Sequence, residues 1–257
     1  MKRLFRRLYS DYLMPSRLPE YEVLLRDAAE HGYAQVSVRD FLRPPPAQGR
    51  APTIVHRHDI DSDLRTAARM FACEVRHGVR SSFYFRLSTL DFGLMRDIED
   101  YGSEASYHFE EIATFAKRQH IKDADEVRRH LPAIREEFAA NLRRIEEGLG
   151  VKLRTVASHG DFANRRLKLI NNEILADDTL RARCGIACET YDSALLDKFD
   201  LYISDRPPPQ LYHPMSPHAA LGRYRSICLL THPVQWETNW RDTTRCNLRR
   251  LAEGLTW

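Results

Sequence analysis

The sequence predicts an α/β protein: a distorted or incomplete (β/α) barrel with about seven parallel strands. Three observations predict it. After residue 50, short β-branched and aromatic runs alternate with longer runs of helical period. No internal repeat and no low-complexity segment competes with that pattern. Finally, nearly every apolar run ends in polar, titratable residues: His58-Asp59, His108, Ser158-His159, Tyr191-Asp192, Ser204-Asp205 and Thr231-His232. A barrel gathers the carboxyl ends of its strands on one rim, where such groups can meet. An open sheet would lay the same residues out along a line.

The elements follow in order. A helical segment near residues 18–31 precedes "RPPPAQGRAP", residues 43–52, whose prolines forbid helix and favour an extended linker. Residues 1–50 are therefore expected to form an N-terminal helical extension packed on a barrel domain of residues 51–257. "TIVHRH" opens the barrel as a strand over 53–58. A helix near 63–77 follows, capped by Asp61 or Ser62, with Leu64, Ala68, Phe71 and Val75 on one face. "SSFYFRL" is the next strand, "FGLMRDIEDYG" a helix, and "EASYH" a short strand ending at His108. Helices near 110–119 and 124–148 come next, with Pro132 as an interruption. "LRTVASHG" is a strand and "NRRLKLINN" a short helix. "CGIACETYDS", "FDLYISD" and "YRSICLLTHP" are three more strand candidates. A second proline-rich break, residues 206–217, is long for a connection and fits a binding loop. A final helix covers 242–253.

Composition bounds the partners. The 257 residues are 43% hydrophobic and 29% charged, an ordinary soluble balance. A net charge of +3, evenly spread, argues against nucleic acid. The basic opening "MKRLFRRLY" reads as a solvated amphipathic start, contact with an anionic membrane being the alternative. No signal-like run of roughly 7–15 apolar residues follows it, and no stretch approaches the roughly 20 of a transmembrane helix. A cytoplasmic location is expected. The five cysteines, Cys73, Cys184, Cys188, Cys228 and Cys246, are an odd set that reads as reduced packing thiols. No Gly-rich phosphate loop occurs.

"HRHDID" carries the chemistry. Alternation along a strand puts Arg57, Asp59 and Asp61 on one face and His56 and His58 on the other, where they read as structural. Desolvating such groups is costly without partners. Carboxylates from this strand and imidazoles from later ones, His108, His159 and His232, can surround a divalent ion, Zn²⁺ or another, with a position left for water. Such an ion brings water towards neutral acidity. A free carboxylate then serves as general base and a histidine as acid, which completes a hydrolytic set.

Those same residues resemble a family. "RHDID", "GSEASYH", "VASHGD" and "ICLLTHP", in that order over residues 53–236, look like the motif blocks of the polysaccharide deacetylase (NodB-homology, carbohydrate esterase 4) superfamily. The resemblance implies a distorted barrel, a divalent metal that is usually zinc, and removal of an N-acetyl or O-acetyl group from a sugar. It makes Asp59 the catalytic base and Asp61 a metal ligand, a split that can also run the other way. His108 matches the first histidine of the second block, but Ile112 stands where the second belongs. His159 is the candidate replacement ligand, with Glu111 behind it. The family's arginine in the third block has no counterpart, and Arg57 is the candidate in its place. His232 matches the final histidine, the implied acid. The departures look like a divergent branch tied to surface glycans or their precursors.

The expected partner is an acetylated sugar, nucleotide sugar or oligosaccharide. Asp205, Trp236 and Arg57 are candidates for substrate contact, with Trp236 and Trp240 as possible stacking walls. Tyr191 and Asp192 rank with Asp205. "EEIATFAKRQH" reads as a solvated helix face. Two rivals remain: a helical His-Asp phosphohydrolase, and an inactive barrel that binds a glycan or partner. The metal reading requires His108 to reach Asp59 or Asp61.

Overall fold

The computed structural model describes residues 8–44 and 51–257. The basic opening at residues 1–7 and the linker at 45–50 lie outside the described residues.

Nine strands form one curled α/β sheet, a distorted (β/α) half-barrel. They are β1 (Ala34–Val36), β2 (Thr53–Ile60), β3 (Ser82–Phe85), β4 (Glu104–Phe109), β5 (Thr155–Ser158), β6 (Cys188–Glu189), β7 (Leu201–Asp205), β8 (Tyr212–His213) and β9 (Ser226–Thr231). The order is β6-β5-β4-β3-β2-β9-β7-β8. Every pairing is parallel except β7 with β8. Strand β2 is central and buried along its whole length, as its β-branched start and lack of turn residues require. One edge of β2 is shared. Its first residues pair with β1 and its last with β3.

Strands β1 and β8 are too short to leave a periodic trace in the sequence. Strand β1 places residues 34–36 in the sheet itself, beyond the helix Leu18–Glu30 that packs outside it. The second proline-rich segment contributes β8, and Pro207 and Pro208 border the cleft described below.

The longer expected helices form in place and differ in detail; the short one expected at "NRRLKLINN" runs Phe162–Leu167, and the helix Asp178–Cys184 has no counterpart among the expectations. The helix Leu64–His77 is capped by Asp63, whose side chain accepts from Thr66 N at 3.2 Å, rather than by Asp61 or Ser62. Asp63 takes a left-handed φ of 54°, which turns the chain and leaves Asp61 facing the sheet's mouth. The buried face of that helix is Ala67, Met70, Phe71, Cys73 and Glu74, so Val75 is exposed rather than packed. Pro132 sits in the first turn of Leu131–Leu149, where its missing N–H costs nothing, and the break falls at His130. The last helix runs Trp240–Thr256. No helix among the described residues is long and apolar enough to cross a membrane.

The largest apolar cluster lies between the helices and the outer faces of β3, β4 and β5, and includes Phe83, Phe85, Tyr107, Phe109 and Phe138. Ile112 is fully buried in it. A second cluster packs Leu18–Glu30 and Leu64–His77 behind β2 and β9. The carboxyl ends of β2, β3, β4, β5, β7 and β9 therefore open on one rim. His58-Asp59 lies on a strand, which removes the helical His-Asp rival.

Candidate metal centre

Three strands deliver the central group. Asp61 follows β2, His108 lies near the end of β4, and His159 directly follows β5. His159 Nε2 is 3.3 Å and His108 Nε2 3.4 Å from the same atom, Asp61 Oδ1. Neither approach is a hydrogen bond, and Asp61 Oδ1 is buried without a hydrogen-bond partner. Ligand atoms 2.0–2.1 Å from a tetrahedral zinc stand about 3.3–3.4 Å apart. The observed spacing matches that edge, and an Asp-His-His set is a fitting donor set for zinc.

The far nitrogens fix the tautomers. His108 Nδ1 donates to Ala157 O at 3.0 Å. His159 Nδ1 meets Glu110 Oε2 at 3.1 Å. A proton held on each Nδ1 leaves the Nε2 lone pairs turned towards Asp61. A divalent cation held between these three atoms would satisfy the Asp61 oxygen and both Nε2 lone pairs at once. Burial alone would raise Asp61, but with no ion bound the neighbouring His159, His108 and His232 rings, where they carry a proton, outweigh it and hold this carboxyl well below its usual range.

Arg86 supports the arrangement. It grips Glu110 with three contacts of 2.7–3.0 Å and donates to Asp61 O at 3.2 Å. Glu110 is held down to about 2, because His159 and Arg86 overcome the cost of burial. Neither Glu110 nor Arg86 stood out in the sequence. The run "EEIATFAKRQH" was expected to be a solvated face, yet both its glutamates are buried or nearly so. Glu110 continues the two-residue period of β4 past His108, and that parity was the available signal. Glu111, the reserve ligand, turns the other way. Its side chain accepts from Tyr107 Oη and from Asn141 in the core, where burial pushes it up to about 7.

A second donor group, Glu110, His159 and Asp161, is also compact. There Arg86 and Lys117 already neutralise the two carboxylates, so a further cation would meet like charge.

Asp59 stands beside the first group, its Oδ2 3.5 Å from His108 Nε2. Fully buried Arg57 donates to both its oxygens, at 2.9 and 2.7 Å, and lies over the Tyr191 ring at 4.5 Å. Burial raises Asp59, and Arg57 more than reverses this, so the carboxyl stays ionised. Arg57 was a candidate for substrate contact; the structure commits its fork to Asp59 instead.

On the opposite side of the mouth, Asp205 accepts from His232 N at 2.7 Å and pairs with His232 Nδ1 at 2.7 Å. Burial would lower His232, but Asp205 raises it to about 9. Trp236 Nε1 also donates to Asp205 at 3.0 Å. Two expected sugar contacts change role here. Trp236 is fully buried under the Arg17 guanidinium, so it offers no open wall, and Asp205 is buried between His232 and Trp236. Asp192 is likewise held by Arg181, at 2.6 and 2.7 Å.

A cleft of about 670 Å³ opens on Asp61 and His159 and is bordered by Phe162, Arg165, Pro207, Gln235 and Arg250. Its size lies in the range of small-molecule sites.

Neither a protein-family model nor a curated protein matches the sequence. Among solved structures, the crystal structure of a CE4 family pseudoenzyme from Bacillus anthracis aligns at 14% identity with a TM-score of 0.42, over 79% of this chain and 62% of that one. The crystal structure of a mutant of that pseudoenzyme with restored enzymatic activity aligns at 14% identity and a TM-score of 0.42, over 79% of this chain and 64% of that one. The chain thus spans less than two thirds of the length of each.

Proposed function

We propose that the chain is a metal-dependent hydrolase of the polysaccharide deacetylase superfamily. It removes an acetyl group, by this reading N-linked, from a sugar or glycan precursor, as surface polysaccharide synthesis requires. One observation carries the proposal: the orphaned Asp61 Oδ1 faces the Nε2 atoms of His108 and His159, while their other nitrogens are engaged elsewhere. The ordered blocks from "RHDID" to "ICLLTHP" support it.

Asp61, His108 and His159 would hold the ion, for which zinc is the best fit. When bound, it supplies Lewis acidity that polarises the acetyl carbonyl and acidifies water. Asp59, kept anionic by Arg57, takes the proton from the attacking water. Arg57 aims that carboxylate and does not touch substrate. His232, protonated at neutral pH, gives its proton to the departing amine. Asp205 keeps that proton in place and orients the ring. Arg86 and Glu110 hold the His159 ring at the angle the ion needs. His159 thus does the work of the histidine missing at Ile112.

The test is direct. Elemental analysis of the purified protein should find one divalent ion per chain. Acetate release from N-acetylated sugars, free, nucleotide-linked and oligomeric, should stop on chelation and return on reloading. A protein that takes up no divalent ion at saturating zinc overturns the proposal and leaves the inactive, glycan-binding barrel.

A further inference from the structure

Described residues at the edge of the cleft carry an apolar surface that no other described residue covers. In the terminal helix Trp240–Thr256, Trp240 is 61% exposed, and Leu248 and Leu251 are each 62% exposed. The short helical segment Tyr9–Leu13 lies against this helix. Tyr12 Oη is 3.2 Å from Thr244 Oγ1, and Asn247 donates to Asp11 at 3.0 Å. Thr244 lies one turn from Trp240 and from Leu248, and Asn247 one turn from Leu251, so the two apolar groups adjoin. The segment adds Leu8 and Leu13, the latter 71% exposed.

Charge is sorted around this patch. Arg241, Arg245, Arg249 and Arg250 are exposed, and Arg241 lies over the Trp240 ring. The helix's acids are partnered: Asp242 accepts from Asn239, and Glu253 pairs with Lys117 and Arg249. In the sequence, Lys2, Arg3, Arg6 and Arg7 come just before Leu8. Apolar anchors, one of them a tryptophan, flanked by arginines are the chemistry of a helix lying in the headgroup layer of an anionic bilayer. Among the described residues of this surface, the exposed charges are arginines, and its acids Asp11, Asp242 and Glu253 are each partly covered and already partnered, so an anionic headgroup layer complements it better than a second copy does.

We propose that the Tyr9–Leu13 segment and the exposed face of Trp240–Thr256 form a docking surface for anionic lipid bilayers. Ser10, Asp11, Arg249 and Arg250 belong to the cleft wall, so docking sets the cleft's mouth at the headgroups. Taken with the hydrolase reading, on which this clause alone rests, the substrate class is a lipid-linked acetylated sugar.

The protein contains its own probe. Trp236 and Trp257 are buried, and Trp240 is the exposed tryptophan. Full-length protein should show a blue shift of Trp240 emission with vesicles of phosphatidylcholine and phosphatidylglycerol, and quenching when their acyl chains are brominated. Pure phosphatidylcholine should bind far less, and salt should weaken the anionic case. Leu248→Ser/Leu251→Ser should bind at least about tenfold more weakly, with unchanged melting and metal content. Arg241→Glu should weaken binding to the anionic vesicles only. No emission change with anionic vesicles at low salt overturns the proposal, as does binding that the leucine pair does not affect. A concentration-dependent dimer that the leucine pair abolishes, without vesicle binding, also overturns it and assigns the face to a second copy. These readouts need no activity, so a failed hydrolase reading leaves them decisive.

Discussion

The two faces of strand β2 carry much the same residue types and end differently. On the outer face His58 is fully buried against Glu74 at 2.7 Å and Thr231 Oγ1 at 2.6 Å. Glu74 in turn accepts from Tyr21 Oη and Ser81 Oγ, each at 2.5 Å. His56 has only Gln35, at 2.9 Å, and burial pushes it down to about 4, so it stays neutral. On the inner face Arg57 closes on Asp59, but Asp61 Oδ1 closes on nothing. On the outer face His58 and Glu74 satisfy each other inside the protein and His56 Nδ1 stays unpartnered in a sealed core, whereas the inner face turns its orphaned Asp61 Oδ1 towards two imidazole nitrogens beside an open cleft. Burial of charge alone therefore does not mark a site. An orphaned acceptor that faces other ligand atoms beside an open cleft does mark one.

Substitutions on each face should separate these roles. The largest effect is expected at Asp61→Ala. Bound zinc should be lost, and deacetylation should fall by a factor on the order of 10³ or more, with the fold retained by circular dichroism. Normal zinc content in that variant would erase the contrast. Next, Glu74→Ala on the outer face should cost about 3–5 kcal/mol in a denaturant titration, because His58 and Tyr21 lose a buried partner. Its metal content should be unchanged at temperatures where it remains folded. Smaller again, Glu110→Gln should weaken zinc affinity about 10–100-fold by loosening His159, read by competition with a chelator. Equal affinity would mean that Glu110 serves packing only.

Parity explains what the sequence reveals and where it stops. The alternation in "HRHDID" separated the two faces of β2 correctly, and strand ends pointed to His108, His159 and His232. The same alternation, carried two residues past His108, reaches Glu110. The helix that follows starts only at Glu111, so Glu110 still obeys the strand's period. The cap of the following helix was hard to place because Asp61, Ser62 and Asp63 can all cap, and only the left-handed turn at Asp63 decides. Depth was not legible for Asp205 and Trp236. Trp236 is covered by Arg17 and Tyr21, about two hundred residues away in the chain, and Asp205 by Trp236 and His232. Short pairings such as β1 and β8 are settled by neighbouring strands rather than by their own residues.

The last prediction concerns Asp205 and is the smallest at neutral pH. With Asp205 present, His232 holds its proton up to about 9, so activity should decline as pH rises through that value. Asp205→Asn removes the carboxylate that opposes burial. The alkaline limb should then move down to the ordinary histidine range near about 6.5 or below. Stability should report the same change. A pKa raised on folding contributes stability that is complete below the unfolded value of about 6.5 and is lost as pH rises through about 9. Wild-type protein should therefore lose this increment of melting temperature across that window, and Asp205→Asn should not. Activity profiles and melting curves on the two proteins check both statements. An unmoved alkaline limb would show that the acid is a group other than His232, and the inner face would then keep its cation site but lose its proposed proton donor.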